Sequence, residues 1–430
     1  MKNLILVHLE SLNSIFFDTK KDLFPNIEKI KKESIYYNNF FSTATSTLMV
    51  ISDICYGGMY RESCSSLEDD NFRTENNFSM FDKLKESGYE TKGIIWPQIS
   101  TYTKMKAGQI LGEKIEIEAL KKYAGFLEAI ENQIKGDKQF ALFVGNFASH
   151  VSYRNDKEVG GANAYSKWKK GYHFIDDTCG KIVKLLKKYE KEDNTIVIFY
   201  GDHGDDLWGH GLKNGYIHAI EPYSNIIHTP LIVKCPGEKK RISDELISAI
   251  DIKEMAMKMV FDVQDEINAL KKRSYVFARN IFVNQKINFM SLGKGYSVIS
   301  NDYSLMVTMK GLELYNICMD PVNSCNLLEF FDIDSGGNIK FRSQFKNIKS
   351  WHFRHFFVDA EIRHLNRIYK QLRIYLLNAT KEIYEGADKN IDIRNKELNF
   401  HKINRYHFFN IYHRIYAELI DKAVRFYMGK

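Results

Sequence analysis

The chain has 430 residues, of which 44% are hydrophobic and 27% charged, ordinary globular values that argue against a disordered or membrane-embedded class. That length holds one large domain with a proper core and a smaller appended region. The net charge of +7 is local: residues 341–430 carry 18 Lys and Arg against 9 Asp and Glu, leaving the preceding part close to −2.

In chain order, Leu4–Leu9 reads as a buried strand, and Pro25 opens a helix running to Ser34, a position where the first turn needs no backbone donor. A helix over Leu48–Tyr56 is expected to stop at Gly57-Gly58. Thr91–Trp96 and Phe140–Asn146 read as strands, Tyr165–Lys188 as a long amphipathic helix, and Thr195–Tyr200 and Pro230–Lys234 as further strands. This alternation predicts an α/β fold whose central, mostly parallel sheet is sandwiched by helices. From about Ser274 to Asn316 shorter β-like pieces predict a small antiparallel sheet. Beyond Asp334-Ser335-Gly336-Gly337 the chain turns helical, aromatic and basic. The expected division is a catalytic domain over 1–333, with its antiparallel subdomain at 273–333, and a basic helical tail over 338–430. No run of about 18 apolar residues is present. Because a strand occupies the first residues where a leader would lie, a cytoplasmic protein is expected, peripheral at most on the inner membrane face. The six cysteines (Cys55, Cys64, Cys179, Cys235, Cys318, Cys325) lack CxxC spacing and read as reduced, mostly buried thiols.

The sharpest chemical signal is Ile196-Val197-Ile198-Phe199-Tyr200-Gly201-Asp202-His203-Gly204. A buried strand ending in Asp-His-Gly delivers a carboxylate and an imidazole to the carboxyl edge of the sheet, where open α/β sheets place their sites. Asp and His suit zinc or manganese; a strand-end turn with a solvated Asp explains the same residues without a metal. Glu10, closing the first strand, supplies a second hard oxygen ligand if it lies near Asp202, and is otherwise an ordinary loop residue. The hydroxyl row Ser42-Thr43-Ala44-Thr45-Ser46-Thr47 precedes a helix, where such residues serve as N-caps. A helix N-terminus also attracts anions, and a metal-bound Thr hydroxyl there becomes a nucleophile. His150, His210, His218 and His228, with Lys213 and Glu221 among them, are candidate substrate ligands or proton donors.

Together these segments resemble the sulfatase family of the alkaline phosphatase superfamily, over roughly residues 3 to 330. Phe24-Pro25-Asn26-Ile27-Glu28-Lys29-Ile30 resembles its early helix, and Ser87-Gly88-Tyr89-Glu90-Thr91 its strand entry. Asp193-Asn194-Thr195-Ile196-Val197 leads into Asp-His-Gly, followed by His210-Gly211, Lys213 and His228-Thr229-Pro230-Leu231-Ile232. Leu312-Glu313-Leu314-Tyr315-Asn316, Asp320-Pro321 and Asn326-Leu327 resemble the late segment. The CxPSR sequence of formylglycine sulfatases is missing: counting back from Gly57, its nucleophile falls on Thr47, followed by Leu48-Met49-Val50. Thr in that place, and Glu at position 10, are instead similar to the branch that transfers phosphoethanolamine or phosphoglycerol to lipids and glycans. Matching that branch's Thr-x-Thr to Thr43-Ala44-Thr45 makes Thr45 the expected nucleophile, with Thr47 the alternative.

The resemblance implies a divalent metal held by Glu10, Thr45, Asp202 and His203, zinc first among the candidates and manganese, magnesium and calcium behind it. It implies a phospho-threonine intermediate formed from a phosphodiester or nucleotide-activated donor. His150 and His218, and less directly His210 and Lys213, bind phosphoryl oxygens or protonate the leaving group. The acceptor is expected to be a glycan or lipid precursor. The basic tail (Trp351, His352, Arg354, His355, Arg363, Arg367, Arg373) is expected either to rest on anionic lipid or polyanionic glycan, or to be a solvated helical cap; nucleic acid is not expected as a partner.

Overall fold

A computed structural model describes residues 1–59, 78–97, 110–150, 157–161, 164–207, 209–210, 218, 221–261, 273–280, 295–308, 311–334, 337–342 and 359–385. The chain forms two compact units. The first comprises Met1–Asp205, Tyr216–His218 and Ile226–Arg273; the second comprises Asp206–Gly215, Ala219–Asn225 and the chain from Ser274 onward.

The first unit is built on eight strands: β1 (Asn3–Leu9), β2 (Ile35–Phe41), β3 (Glu90–Trp96), β4 (Glu116–Ala119), β5 (Phe140–Asn146), β6 (Thr195–Gly201), β7 (Leu231–Lys234) and β8 (Arg241–Ser248). They lie in the order β4-β3-β5-β1-β6-β7-β2-β8. Only β7 runs against its neighbours, so the sheet is mostly parallel, as the alternation of the sequence predicts. β7 was expected from sequence, but its reversed direction has no sequence signature. β2, β4 and β8 were not anticipated; β8 is mostly exposed over its first half, which leaves it without a continuous apolar run.

The helices of this unit are α1 (Ser14–Thr19), α2 (Pro25–Lys32), α3 (Thr47–Tyr56), α4 (Met80–Glu86), α5 (Tyr123–Lys135), α6 (Ala164–Lys188) and α7 (Asp251–Val260). One set packs α2 and α5 against α6, and another packs α4 and α7 against α3. β1, β5 and β6 are buried along their whole length, and this continuous apolar belt is the core that fixes the strand ends. The α2 N-terminus is held by Asp176 of α6, which accepts from the backbone of Asn26 (3.0 Å) and Ile27 (2.9 Å). The helix α3 stops where expected: Gly57 takes a left-handed φ of 71° and its N–H bonds Asp53 O at 2.8 Å.

The second unit carries the expected antiparallel sheet, β9 (Val276–Asn280), β10 (Gly295–Ile299), β11 (Tyr303–Thr308) and β12 (Gly311–Asn316), in the order β12-β11-β10-β9. The ribbon β13 (Phe331–Ile333) and β14 (Ile339–Phe341) follows. Helix α8 (Asp359–Glu385) packs on β10, β11 and β14, burying Leu365, Tyr369, Leu372, Leu376 and Ala379 at helical spacing. The antiparallel sheet and helix α8 both lie in the second unit, which takes the chain from Ser274 onward together with Asp206–Gly215 and Ala219–Asn225. Arg363 and Arg367 are exposed on α8, whereas Trp351, His352, Arg354 and His355 lie outside the described residues. Cys55, Cys179 and Cys235 are buried free thiols as expected, but Cys318 and Cys325 are exposed, and Cys64 lies outside the described residues.

A Cβ at Gly57 would lie 2.9 Å from Lys253 Cδ while forcing an L-residue into positive φ. Gly57→Ala is therefore expected to cost about 1–2 kcal/mol in urea unfolding, with an unchanged m-value. A stability equal to wild type would contradict the left-handed cap.

Candidate active site

β1 and β6 pair in parallel from Asn3↔Thr195 to Leu9↔Gly201. The next residues off the two strand ends are Glu10 and Asp202, so this register alone sets the two carboxylates side by side. Gly201 permits the approach, since a Cβ there would stand 2.5 Å from Leu12 O. Ser11 turns the chain away from β1 with φ 56°, and in that strained conformation its N–H donates to Asp202 Oδ1 at 3.0 Å and its hydroxyl to Glu10 Oε1 at 2.8 Å. Tyr172 donates to Ser11 O at 2.5 Å and Ser149 to Glu10 O at 2.6 Å, which holds the turn.

The third contributor is the start of α3. Thr47, its first residue, places Oγ1 3.0 Å from His203 Nε2 and 3.4 Å from both Glu10 oxygens. His203 Nε2 in turn lies 3.1 Å from Asp202 Oδ2 and 3.9 Å from Glu10 Oε1. Thr45 is more deeply buried than Thr47, and among the described residues its hydroxyl has no hydrogen-bond partner. Thr43 donates to Asp53 Oδ2 at 2.6 Å and Ser42 to Ala44 O at 2.9 Å. The N-cap residue Ser46 makes no side-chain cap bond, so the hydroxyl row does not cap the helix as it might have. Of the two expected nucleophiles, Thr47, the first residue of α3, is the one within 3.4 Å of Glu10 and His203.

Thr47 Oγ1 and His203 Nε2 thus lie within 3.0–3.9 Å of each other and of Glu10 Oε1, and His203 Nε2 lies 3.1 Å from Asp202 Oδ2. Ligands about 2.0–2.2 Å from one ion in tetrahedral array stand roughly 3.3 Å apart, so the set fits a divalent metal. A second observation agrees. Asp202 Oδ2 is fully buried without a hydrogen bond, although it is 3.1 Å from His203 Nε2. Two carboxylates buried together need a compensating positive charge.

His8 was not anticipated. It lies two residues before Glu10 on the same strand face, so the period of 2 was the available signal. His8 Nε2 is 2.9 Å from Glu10 Oε2 and 3.8 Å from Asp202 Oδ2, and one ligand atom from each of the three residues falls within 4.8 Å of the others. Burial lowers the His8 pKa, against the opposing charge of Asp202, and burial lowers that of His203 strongly, with His218 and His150 adding to it. Both rings are held neutral, the form in which imidazole ligates metal.

His218 stacks on His203 with ring centroids 4.1 Å apart, and His150 approaches His218 at 5.1 Å. His218 Nδ1 lies 3.1 Å from Asp205 Oδ1. Burial alone would lower the His218 pKa, but the hydrogen bond and charge of Asp205 outweigh it and raise the value. Asp205, the residue directly after Asp202-His203-Gly204, was not anticipated from the sequence. His210 is placed differently. It belongs to the second unit, where Asp206 Oδ1 is 2.5 Å from Nδ1, Asn323 O is 3.0 Å from Nε2, and Tyr223 stacks at 3.4 Å. His228 Nε2 donates to Asn38 O at 2.6 Å and its ring stacks on Phe41, a strand-end contact. Lys213 lies outside the described residues.

The sulfatase family model matches residues 2–260. The chain belongs to the sulfatase family. An arylsulfatase from Clostridium perfringens is 26% identical over 165 residues, covering 36% of this chain and 34% of that protein. Lipoteichoic acid synthase of Staphylococcus aureus is 21% identical over 294 residues, covering 58% and 44%. Among solved structures, the lipoteichoic acid synthase LtaP from Listeria monocytogenes superposes with a TM-score of 0.56 at 17% identity, over 78% of this chain and 87% of that one. The putative sulfatase yidJ from Bacteroides fragilis gives 0.56 at 16% identity, over 76% and 91%. The sulfatase-family chain spans about a third to under a half of the length of these curated relatives. The likeness to solved structures gives the alkaline phosphatase-like fold, and sulfatases and lipoteichoic acid synthases are both among the proteins the chain resembles.

Burial first, and the charge of Glu10 second, push the metal-free Asp202 carboxyl from 3.8 up to about 7. A folded value above the unfolded one means that the folded state binds more protons between them, so stability falls as pH rises from about 4 to about 7. The melting temperature of metal-stripped protein is expected to drop across that window, a divalent ion to restore it at pH 8, and Asp202→Asn to flatten the profile. A flat wild-type profile would contradict the uncompensated carboxylate pair.

Proposed function

We propose that this chain is a metal-dependent phosphotransferase that uses Thr47 as nucleophile and modifies a glycan or lipid precursor. The observation that carries this reading is the position of Thr47 Oγ1, 3.0 Å from His203 Nε2 and 3.4 Å from both oxygens of Glu10, with no Cys or Ser in that place. Glu10, Thr47, Asp202 and His203 would hold the ion; the mixed N and O donors suit zinc first and manganese second. When bound, the ion acidifies the Thr47 hydroxyl and neutralises charge on the phosphoryl group.

The residues of the chain do the remainder. Thr47 gives up its proton to solvent, and its oxygen attacks the phosphorus of a phosphodiester. The Oγ–P bond forms as the P–O bond to the leaving alcohol breaks. His218, oriented and charged by Asp205, protonates the departing oxygen, and His150 beside it binds a phosphoryl oxygen. In the second half an acceptor hydroxyl attacks the phospho-threonine and His218 takes its proton; the acceptor O–P bond forms as the Thr47 Oγ–P bond breaks, and the Thr47 oxygen regains a proton from solvent. The N-terminus of α3 adds free N–H groups and the positive end of its dipole to phosphate binding. The donor is proposed to be a phosphodiester or a nucleotide-activated group, and the exposed Arg363 and Arg367 to meet an anionic membrane or glycan.

The second reading is hydrolysis at the same site, of a phosphodiester or a sulfate ester, with water as acceptor. The family and the arylsulfatase relative favour it. Metal-loaded protein assayed with synthetic phosphodiesters, nucleotide-diphosphate donors and aryl sulfates separates these readings. Thr47→Ala is expected to reduce phosphodiester turnover on the order of 10³-fold or more, and Thr45→Ala less than about tenfold. Turnover that survives Thr47→Ala rules out the covalent mechanism; aryl sulfate turnover exceeding that of every phosphodiester moves the chemistry to sulfur.

A further inference from the structure

We propose that His8, oriented by Tyr200, is a positioning residue that commits one oxygen of Glu10 to the protein and leaves the other for the metal. This rests on the metal site proposed above. His8, Glu10 and Asp202 are all fully buried. His8 Nε2 meets Glu10 Oε2 at 2.9 Å, and Tyr200 Oη meets His8 Nδ1 at 3.2 Å. A carboxylate only accepts, so the imidazole proton sits on Nε2 and is donated to Glu10. Nδ1 then presents a lone pair, and the Tyr200 hydroxyl donates to it. The relay therefore has one direction, from Tyr200 through His8 to Glu10, and it fixes the tautomer without a charge on the ring.

The sheet builds this relay. His8 and Tyr200 are register partners on β1 and β6, and Glu10 and Asp202 come two residues later on the same strands. Phe147 and Phe143 wall the imidazole, with ring centroids at 4.9 and 6.3 Å, and hold its plane. Glu10 Oε1, which takes the Ser11 hydroxyl at 2.8 Å, is the oxygen that faces His203 Nε2, at 3.9 Å. With Oε2 engaged by the fixed His8 ring and Oε1 only by the rotatable Ser11 hydroxyl, Glu10 is set to offer the ion Oε1. That suits small ions of low coordination number and disfavours calcium, which takes 6–8 oxygens and often both oxygens of a carboxylate, in the general preference of these ions. His8 is thus an ion-specificity determinant as well as a clamp.

The test is Mn²⁺ binding to the metal-stripped full chain by calorimetry, with Ca²⁺ as competitor. Comparison is made among wild type, His8→Leu, His8→Gln, Tyr200→Phe and Glu10→Gln. Gln can place an N–H near the position of Nε2 and is the rescue variant. His8→Leu is expected to weaken Mn²⁺ binding about 10–100-fold and to narrow the preference over Ca²⁺. His8→Gln is expected to stay within a few-fold of wild type, and Tyr200→Phe, which keeps the ring and so the packing, to lose a few-fold. Nitrogen couplings in the electron-spin-echo spectrum of bound Mn²⁺ should be the same in wild type and His8→Gln. Wild-type affinity in both His8→Leu and Tyr200→Phe overturns the proposal and leaves the metal site standing. A nitrogen coupling lost in His8→Gln also overturns it, by making His8 a direct ligand. Wild type that binds no Mn²⁺, or Glu10→Gln that binds it as tightly as wild type, overturns the metal site itself and this proposal with it.

Discussion

The parallel pairing of β1 with β6 is the constraint on which the site depends. Seven consecutive register pairs, all buried, allow no slip, because a shift of one residue would turn Glu10 and Asp202 to opposite faces of the sheet. Both strands are interior to the sheet, so hydrogen bonding on either side reinforces the register. The energetic cost of two adjacent buried carboxylates is therefore imposed by the apolar core beneath them. Relief comes from outside the pair: the Ser11 backbone and hydroxyl, the His8 ring, and the cation proposed for this site.

The remaining parts are brought to that edge by separate devices. The helix α3 delivers Thr47 because it begins at that residue and its far end is locked by the Gly57 turn and by Lys253, whose Nζ donates to Tyr56 O at 3.0 Å. Asp-His-Gly puts His203 one residue beyond Asp202, across from Thr47. His218 arrives from a later loop and is held by Asp205. At the end of β1 strain falls on Ser11, whose left-handed backbone aims its N–H at Asp202. Such strain persists where surrounding hydrogen bonds over-determine it, as those from Tyr172 and Ser149 do here.

Much of this was legible in the residues alone. Long apolar runs such as Leu4–Leu9 and Thr195–Tyr200 declared the buried strands, and Gly57 the end of α3. Strands with an exposed half, such as β8, carried no such run and were silent. Asp202, His203 and Glu10 were readable because they terminate apolar strands; the Asp205 partner of His218 was not, because a pairing across 13 residues leaves no local pattern. The choice between Thr45 and Thr47 rested on which family pattern to match, Thr-x-Thr or the CxPSR spacing, while the helix start expected at Leu48 lies within one residue of the observed Thr47. His210, in the same loop as the metal motif, looked like a site residue, yet its imidazole is fully engaged by Asp206, Asn323 and Tyr223.

The most direct measurement of the central claim is anomalous diffraction from a crystal of this protein loaded with zinc or manganese. The account predicts one strong peak about 2.0–2.3 Å from Glu10 Oε1, Thr47 Oγ1, Asp202 Oδ2 and His203 Nε2, with Thr45 outside the coordination shell. A peak bonded to Thr45 but not Thr47, or no peak among these residues in a metal-loaded crystal, would contradict it.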